Sequence, residues 1–410
     1  MNPGNMSQAF TALQQAMDMI ERGEYAGADA QFDRAESLAP HFPGINLMRA
    51  QAMNRTGRVL DAVRHFGAAA VKAQIMGFQA HQQLAASLEQ SAPDAAFQSY
   101  QDLLAPRYAP REIEARARKF IEEYTRKFTD HANTLLDTAA NWALLHAPLL
   151  MERGFSFRGA RVLEIGGSIV PAVCYLYAAM GARVCAVDKF RTAESINVLG
   201  HAAQRICHET IFARLAKRDL LPAEWLAGNP PLIMDEIVEF SSNSVTFDPR
   251  FLDFRGGVDA ANLPFDSGSF DLVSSVATLE HVGDPDGDPA DTVREIARVL
   301  KPGGWSAHMI DLCDHRDPKN APLEFLKYSD AQWRAMSVPQ NQRANRWRMS
   351  RWREAFKNAG LEEVVARPEP AGKTIPVTPE TAAQLHADFK NLEFADLSAP
   401  GCLILSRKPL

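Results

Sequence analysis

The side chains in this chain that could do chemistry fall at the ends of apolar runs. In RVLEIGGSIVPAV, residues 161–173, Glu164 stands just before Gly166 and Gly167. The next apolar run, ARVCAVDKF, carries Asp188 near its end, 24 residues after Glu164. Asp259 sits in the turn-prone GGVDAAN, Glu280 and His281 close VATLEHV, and His308, Asp311 and His315 fall in HMIDLCDH. A carboxylate can accept hydrogen bonds from two hydroxyls at once. Paired glycines let the backbone approach a neighbour closely, and a histidine can take up a proton near neutral pH. His281 and His315 are the favoured bases, with Asp311 orienting them or touching substrate. Alternation along the strand puts His308 and Ile310 on one face and Asp311 on the other, so His308 reads as a core residue. No third ligand has a spacing that points to a metal, and none is expected.

The elements that must position these residues form an α/β pattern. From residue 160, ARVLEIGG and ARVCAVDKF read as short apolar strands, with the helix IVPAVCYLYAAMG between them. SFDLVSSVATLEHV, the helix PADTVREIARVLKPGG and the strand WSAHMIDLCDH follow. Strands alternating with helices imply a parallel sheet joined by right-handed crossovers. Ligands of such sheets sit beyond the carboxyl ends of the strands, which is where the acids and histidines fall.

The first hundred residues are different and repeat with a period of 34. Ala28, Ala62 and Ala96 keep this step, as do Phe32, Phe66 and Tyr100, and Ala35, Ala69 and Leu103. A small residue, an aromatic four later and an apolar residue three after that share one helical face. The period and RGEYAGADAQFDRAESLAP resemble tetratricopeptide repeats. That resemblance implies an all-α interaction module over residues 1–108, which binds a protein partner or peptide or associates with itself. Residues 109–157 read as a helical linker or cap of two helices, REIEARARKFIEEYTRKF and ANTLLDTAANWALLHAPLLMERG.

Composition excludes several classes. The net charge is −6, which argues against coating nucleic acid or an anionic membrane. The five cysteines, Cys174, Cys185, Cys207, Cys313 and Cys402, include no C-x-x-C pair. Neither a disulfide framework nor a zinc knuckle is expected, and a reducing cytoplasm is. MNPGNMSQAF shows no secretory signal pattern. Residues 165–182 carry no charge. They read as strand, turn and helix rather than a membrane span, because Gly166, Gly167, Ser168 and Pro171 interrupt them.

The order of motifs from residue 158 resembles a class I S-adenosylmethionine-dependent methyltransferase. VLEIGG matches the family's first motif, VCAVDKF the acid of the second strand, GVDAANLPFDSGSFDLVSSVATLEHV the adenine-side loop and fourth strand, and ARVLKPGGW the turn before the fifth. The resemblance implies a Rossmann-like domain over 158–410 with a mainly parallel seven-stranded sheet. It implies S-adenosylmethionine as cofactor and S-adenosylhomocysteine as product. Implied cofactor contacts are Glu164, Gly166, Gly167, Ser168, Asp188, Lys189, Asp259, Ala260, Ser275 and Glu280. Among these, Asp188 would hold the ribose hydroxyls, Asp259 the adenine amino group, and Glu164 the ammonium end. The family's frame has glycines where this chain has Ser168 and Val170.

A substrate lid is expected at about 312–353, rich in Trp and Arg, with Tyr328, Trp333 and Arg343 as substrate contacts by stacking and ion pairing. The end of that stretch, SRWREAFKNAG, also reads as an amphipathic helix with Trp352 and Phe356 in the core. The leading expectation is methyl transfer to a hydroxyl or amine of a small molecule, such as a sugar or specialised metabolite. The alternatives are a peptide or protein acceptor presented by the repeats, or a non-catalytic scaffold.

Overall fold

The computed structural model describes residues 3–40, 42–72, 77–104, 111–168, 170–189, 200–240, 245–283, 287–336 and 343–410. The expected boundary at residue 108 and residues 337–342 of the expected lid lie outside these. The chain divides into two compact units, Met1–Asp130 with Gly200–Ile206, and His131–Leu199 with Cys207–Leu410.

In the first unit six helices follow one another: α1 (Pro3–Glu21), α2 (Tyr25–Leu38), α3 (Pro43–Arg55), α4 (Val59–Lys72), α5 (Gly77–Leu88) and α6 (Pro93–Leu104). They pack as α1 with α2, α3 with α4, and α5 with α6, so each 34-residue step holds one helix pair. The residues that keep the step are the ones buried: Ala28, Ala62 and Ala96 completely, and Phe32, Phe66 and Tyr100 almost so. The small residue lets the helices approach, and the aromatic one turn on fills the space beside it.

α7 (Arg111–Met151) is a single helix where two were expected. No glycine or proline separates the two stretches, so nothing stops the first from continuing into the second. Pro148 falls in its last turn. From His131 onward this helix belongs to the second unit, rather than to a separate cap.

The second unit is built on strands β1 (Arg161–Ile165), β2 (Arg183–Asp188), β3 (Val238–Phe240), β4 (Val245–Phe247), β5 (Leu252–Gly256), β6 (Phe270–Val276), β7 (Leu300–Asp311), β8 (Glu362–Pro368) and β9 (Gly401–Arg407). Seven of them form one sheet in the order β5-β2-β1-β6-β7-β9-β8, with β3 and β4 a separate antiparallel pair. β5, β2, β1, β6 and β7 run parallel, and β9 is antiparallel to both its neighbours. The central strands are buried along most of their length, which explains their nearly unbroken apolar runs. Residues 165–168 and 170–182 hold the end of β1, part of the loop, the helix Ala172–Ala179 and the turn after it. No helix among the described residues is long and apolar enough to cross a membrane.

A buried polar network holds the second half of α7 to the sheet. The Trp142 indole N–H donates to Tyr177 Oη at 3.0 Å and lies 3.3 Å from Ser274 Oγ on β6. His146 Nδ1 donates to the Trp142 carbonyl at 2.7 Å, so its Nε2 accepts from Tyr177 Oη at 3.1 Å. Burial pulls the His146 pKa down to about 4, so the ring is neutral and keeps this tautomer. Trp142→Phe removes the indole donor together with part of the buried ring. It should lower stability by at least about 1–2 kcal/mol, because Tyr177 and Ser274 are left short of a partner and the smaller ring leaves a cavity; the midpoint of urea denaturation measures this, and no shift would show that the network contributes nothing.

Candidate active site

A cavity of about 780 Å³ opens beyond the carboxyl ends of β1, β2 and β6. Its wall carries Glu164, Gly166, Gly167, Ser168, Asp188, Lys189, Asp259, Ala260 and His281. All nine were expected site residues. Leu135, Thr138 and Ala139 of α7 close another side. These three share one helical face by their spacing, and Trp142 anchors the next turn.

The glycine loop is shaped by what packs against it. Gly166 has φ +83°, and a Cβ there would lie 2.1 Å from Thr278 Oγ1. A Cβ on Gly167 would lie 2.7 Å from the Phe254 ring and 2.9 Å from Ala186 Cβ. Both N–H groups donate to the Val187 carbonyl, at 2.8 and 3.1 Å. The glycines therefore bring the loop onto β2, β5 and the turn after β6. Ser168 takes the left-handed conformation itself, with φ +59°, at a cost of order 1 kcal/mol. Its N–H donates to Asp188 Oδ2 at 3.2 Å, so it keeps the backbone shape of the glycine it replaces. Val170 is buried and lines the wall.

The acids differ in environment. Asp188 is half-buried at the end of β2, and its carbonyl accepts from the Val258 N–H at 3.2 Å. Asp259 meets Lys189 Nζ at 2.6 Å, and its other oxygen accepts from the Ala261 N–H at 3.0 Å. Burial raises the Asp259 pKa, but Lys189 and that amide outweigh it and hold the carboxyl below its ordinary value. Glu164 is the opposite case. Burial pushes its pKa up to about 8, against the pull of a hydrogen bond with Ser274. Its Oε2 has no hydrogen-bond partner among the described residues.

The other end of the cavity is the 3-10 turn Leu279–His281. His281 Nδ1 donates to the Arg343 carbonyl at 2.7 Å, which leaves Nε2 as the acceptor nitrogen. Burial holds the His281 pKa below its ordinary value, and neighbouring His315 adds to this against the pull of the Arg343 carbonyl. The two rings are 5.0 Å apart between centroids. Behind them, Asp311 Oδ2 lies 3.5 Å from His315 Nε2, and Asp311 Oδ1 accepts from the Cys313 N–H at 2.8 Å. Asn345, which carries no local signal of a role at the site, fixes this turn: its Nδ2 donates to the Leu279 and Val282 carbonyls, at 2.7 and 3.1 Å, and its N–H to the Glu280 carbonyl at 2.7 Å.

Several expected contacts lie elsewhere. Ser275 is fully buried, and its hydroxyl pairs with His308 Nδ1 at 2.7 Å, on the sheet and away from the cavity wall. His308 is a core residue as expected, its pKa drawn down to about 3 by burial. Glu280 is buried behind the turn and Asp311 and His315 stand beside it, off the wall. Trp333 is 3% exposed in an apolar cluster with Leu323, Phe325, Leu326 and Leu385, and its indole donates to the Ala344 carbonyl at 3.0 Å. Packing, not stacking on a ligand, uses that ring. Tyr328 packs at the edge of the same cluster. The Arg343 guanidinium donates to the Met336 carbonyl at 2.6 Å, and what it gives the site is its own carbonyl. Trp352 and Phe356 are core residues of the helix Met349–Asn358. Glu280, His281 and His315 place ligand atoms within 4.8 Å of one another, a grouping hidden by their separation in sequence.

This sheet order, with a cavity beyond the carboxyl ends of its parallel strands, defines an α/β protein that binds a ligand at the switch point. A family model described as "Methyltransferase domain" matches residues 137–366, more than half of the chain, and the chain belongs to that family. Its cofactor is S-adenosylmethionine. The residues fit it: a buried acid with an unpartnered oxygen for a cationic end, and a carboxylate at the tip of β2 for hydroxyls. Solved structures with which it shares weak similarity include an S-adenosylmethionine-dependent methyltransferase from Methanosarcina mazei, at 14% identity over 64% of this chain and 98% of that one, with a TM-score of 0.37. Another is an S-adenosylmethionine-dependent methyltransferase from Mesorhizobium loti, at 16% identity over 67% and 100%, with a TM-score of 0.35. A third is phosphoethanolamine N-methyltransferase 2 from Haemonchus contortus, solved with S-adenosylmethionine, at 18% identity over 64% and 52%, with a TM-score of 0.34. No curated protein matches the chain.

Gly166→Ala should destabilise the protein by more than the ~1–2 kcal/mol of a left-handed alanine, because the added methyl also meets Thr278. A melting temperature unchanged from the wild type would show that the loop does not need a glycine there.

Proposed function

We propose that this methyltransferase acts on a hydroxyl or amine of a small molecule. The observation that carries the reading is His281. It stands in the wall of the cofactor cavity with Nε2 as its acceptor nitrogen, backed by His315 and Asp311. The cavity volume lies within the range of small-molecule sites.

When bound, S-adenosylmethionine supplies a methyl group on a sulfonium sulfur, and S-adenosylhomocysteine is the product. The residues of this chain bind and orient. Asp188 accepts from the ribose hydroxyls, Asp259 and the Ala260 amide take the adenine edge, and Glu164 pairs with the ammonium end. Gly166, Gly167 and Ser168 set the loop, and Lys189 holds Asp259. His281 receives the acceptor's proton, with Asp311 supporting its charge. Alignment of acceptor and methyl supplies most of the acceleration, and proton uptake adds about 10²–10⁴-fold.

The repeats of the first unit support a second reading. A tetratricopeptide-like module would bring a peptide acceptor, a protein partner or a second copy of the chain. The five cysteines are buried and form no disulfide among the described residues, which suits a reducing cytoplasm.

Transfer of a labelled methyl group to panels of hydroxyl- and amine-bearing small molecules and of peptides, with the products identified by mass spectrometry, tests the acceptor. The small-molecule reading expects product from the first panel, with His281→Ala lowering kcat at least about a hundredfold. Product from peptides alone would replace it with the second reading, and no product from any panel would favour a scaffold.

Glu164 gives a pH test. Its pKa of about 8 means that it is largely protonated at neutral pH. Pairing with an ammonium group favours the carboxylate, so cofactor binding should release a proton at pH 7 and tighten as pH rises toward 8. Calorimetric binding enthalpies that vary with the ionisation enthalpy of the buffer would show this, and a Glu164→Gln variant should abolish the variation.

A further inference from the structure

The polar cluster behind His281 holds more than proton transfer requires. We propose that Glu280, His281 and His315 bind one divalent transition-metal ion of the zinc class beside the cofactor cavity, with open positions that take a hydroxyl oxygen of the acceptor. This rests on the methyltransferase reading for the acceptor and deepens it, because it selects an oxygen acceptor over an amine.

Three observations carry the proposal. The ligand atoms of the three residues lie within 4.8 Å of one another. Glu280 is also 2% exposed, with neither carboxylate oxygen making a well-formed hydrogen bond among the described residues. A buried carboxylate short of well-formed hydrogen bonds is costly, and a cation lowers that cost. The third observation is the His281 tautomer. Its Nδ1 donates to the Arg343 carbonyl, so Nε2 carries the lone pair, the arrangement in which metal-bound histidines are held.

The donor set decides the class of ion. Two imidazoles and a carboxylate suit zinc, cobalt or iron(II), whereas magnesium and calcium prefer oxygen ligands throughout. Asp311, beside His315, adds a second negative charge that would balance a divalent ion. Glu280 and His281 sit in a turn locked by Asn345, and His315 lies four residues past the end of β7. His281 is the member that reaches the cavity wall, so the ion would face the acceptor. A hydroxyl bound there would lose its proton to solvent at neutral pH, with no oxidant or reductant involved. His281 and His315 would then act as ligands, and the ion would take over the activation of the acceptor.

The test uses the full chain, free of any affinity tag and stripped with a chelator, titrated with Co²⁺ and then with Zn²⁺. The expected result is one equivalent of Co²⁺ per chain with visible d–d absorption that Zn²⁺ displaces. Glu280→Gln and His315→Ala should each weaken binding at least tenfold, while His131→Ala, at an exposed position, leaves it unchanged. X-ray absorption of the wild-type zinc form needs no variant, and it should show imidazole and oxygen neighbours. Failure of the wild type to bind stoichiometrically, sulfur in the first shell, or unchanged binding by both Glu280→Gln and His315→Ala would overturn the proposal. Binding of S-adenosylmethionine by the metal-free chain is measured alongside. A chain that binds this cofactor but no metal overturns the metal site and leaves the methyltransferase reading intact. A chain that binds metal at these residues but no cofactor does the reverse.

Discussion

The site depends on one buried contact, the indole of Trp142 against Tyr177 and Ser274. α7 approaches the sheet with a mostly apolar face that Trp142 and His146 interrupt. A directional hydrogen bond in a dry interior fixes it, because breaking the bond leaves buried polar groups without partners. One turn before Trp142, the same face presents Leu135, Thr138 and Ala139 to the cavity. The network that sets this wall also reaches Glu164 through Ser274, so the shape of the cavity and the charge of its most buried acid share a support.

The two ends of the cavity differ in their electrostatics. At the cofactor end, carboxylates stand in three environments: Asp188 at a strand tip, Asp259 paired with Lys189, and Glu164 buried. At the other end stand two imidazoles, and burial holds the pKa of His281 below its ordinary value. An end that collects acids and an end that collects lone pairs suit a ligand that carries positive charge toward an acceptor that must lose a proton. The loop between them tolerates its departures from the family pattern for a simple reason. Ser168 pays the cost of left-handed backbone and recovers an N–H bond to Asp188, while Val170 is absorbed as wall.

Much of this was legible in the sequence. Acids at strand ends are local features, tied to runs that can only be strands, and nine of the expected residues meet in one cavity. The 34-residue step was readable because a helical face repeats its residue sizes. What was not legible depended on long-range packing. The part played by α7 in the wall has no local signal, since Leu135, Thr138 and Ala139 are ordinary helix residues. Trp333 and Arg343 looked like ligand contacts because both residue types are common in ligand sites, but Trp also fills cores and Arg also binds backbone carbonyls. Only the packing shows that Trp333 is enclosed by Leu323, Phe325 and Leu385. The clustering of Glu280 with His315 needed the β6 and β7 ends to be neighbours, which strand order alone decides.

The central claim is that the cavity between the ends of β1, β2 and β6 is a working S-adenosylmethionine site despite Ser168 and Val170. Isothermal titration of the full chain with S-adenosylmethionine tests it most directly. The account predicts one site per chain, weakened by about 2 kcal/mol, or roughly thirtyfold, in Asp188→Ala through loss of charge-assisted hydrogen bonds. No binding by the wild type, or equal affinity in the variant, would contradict it.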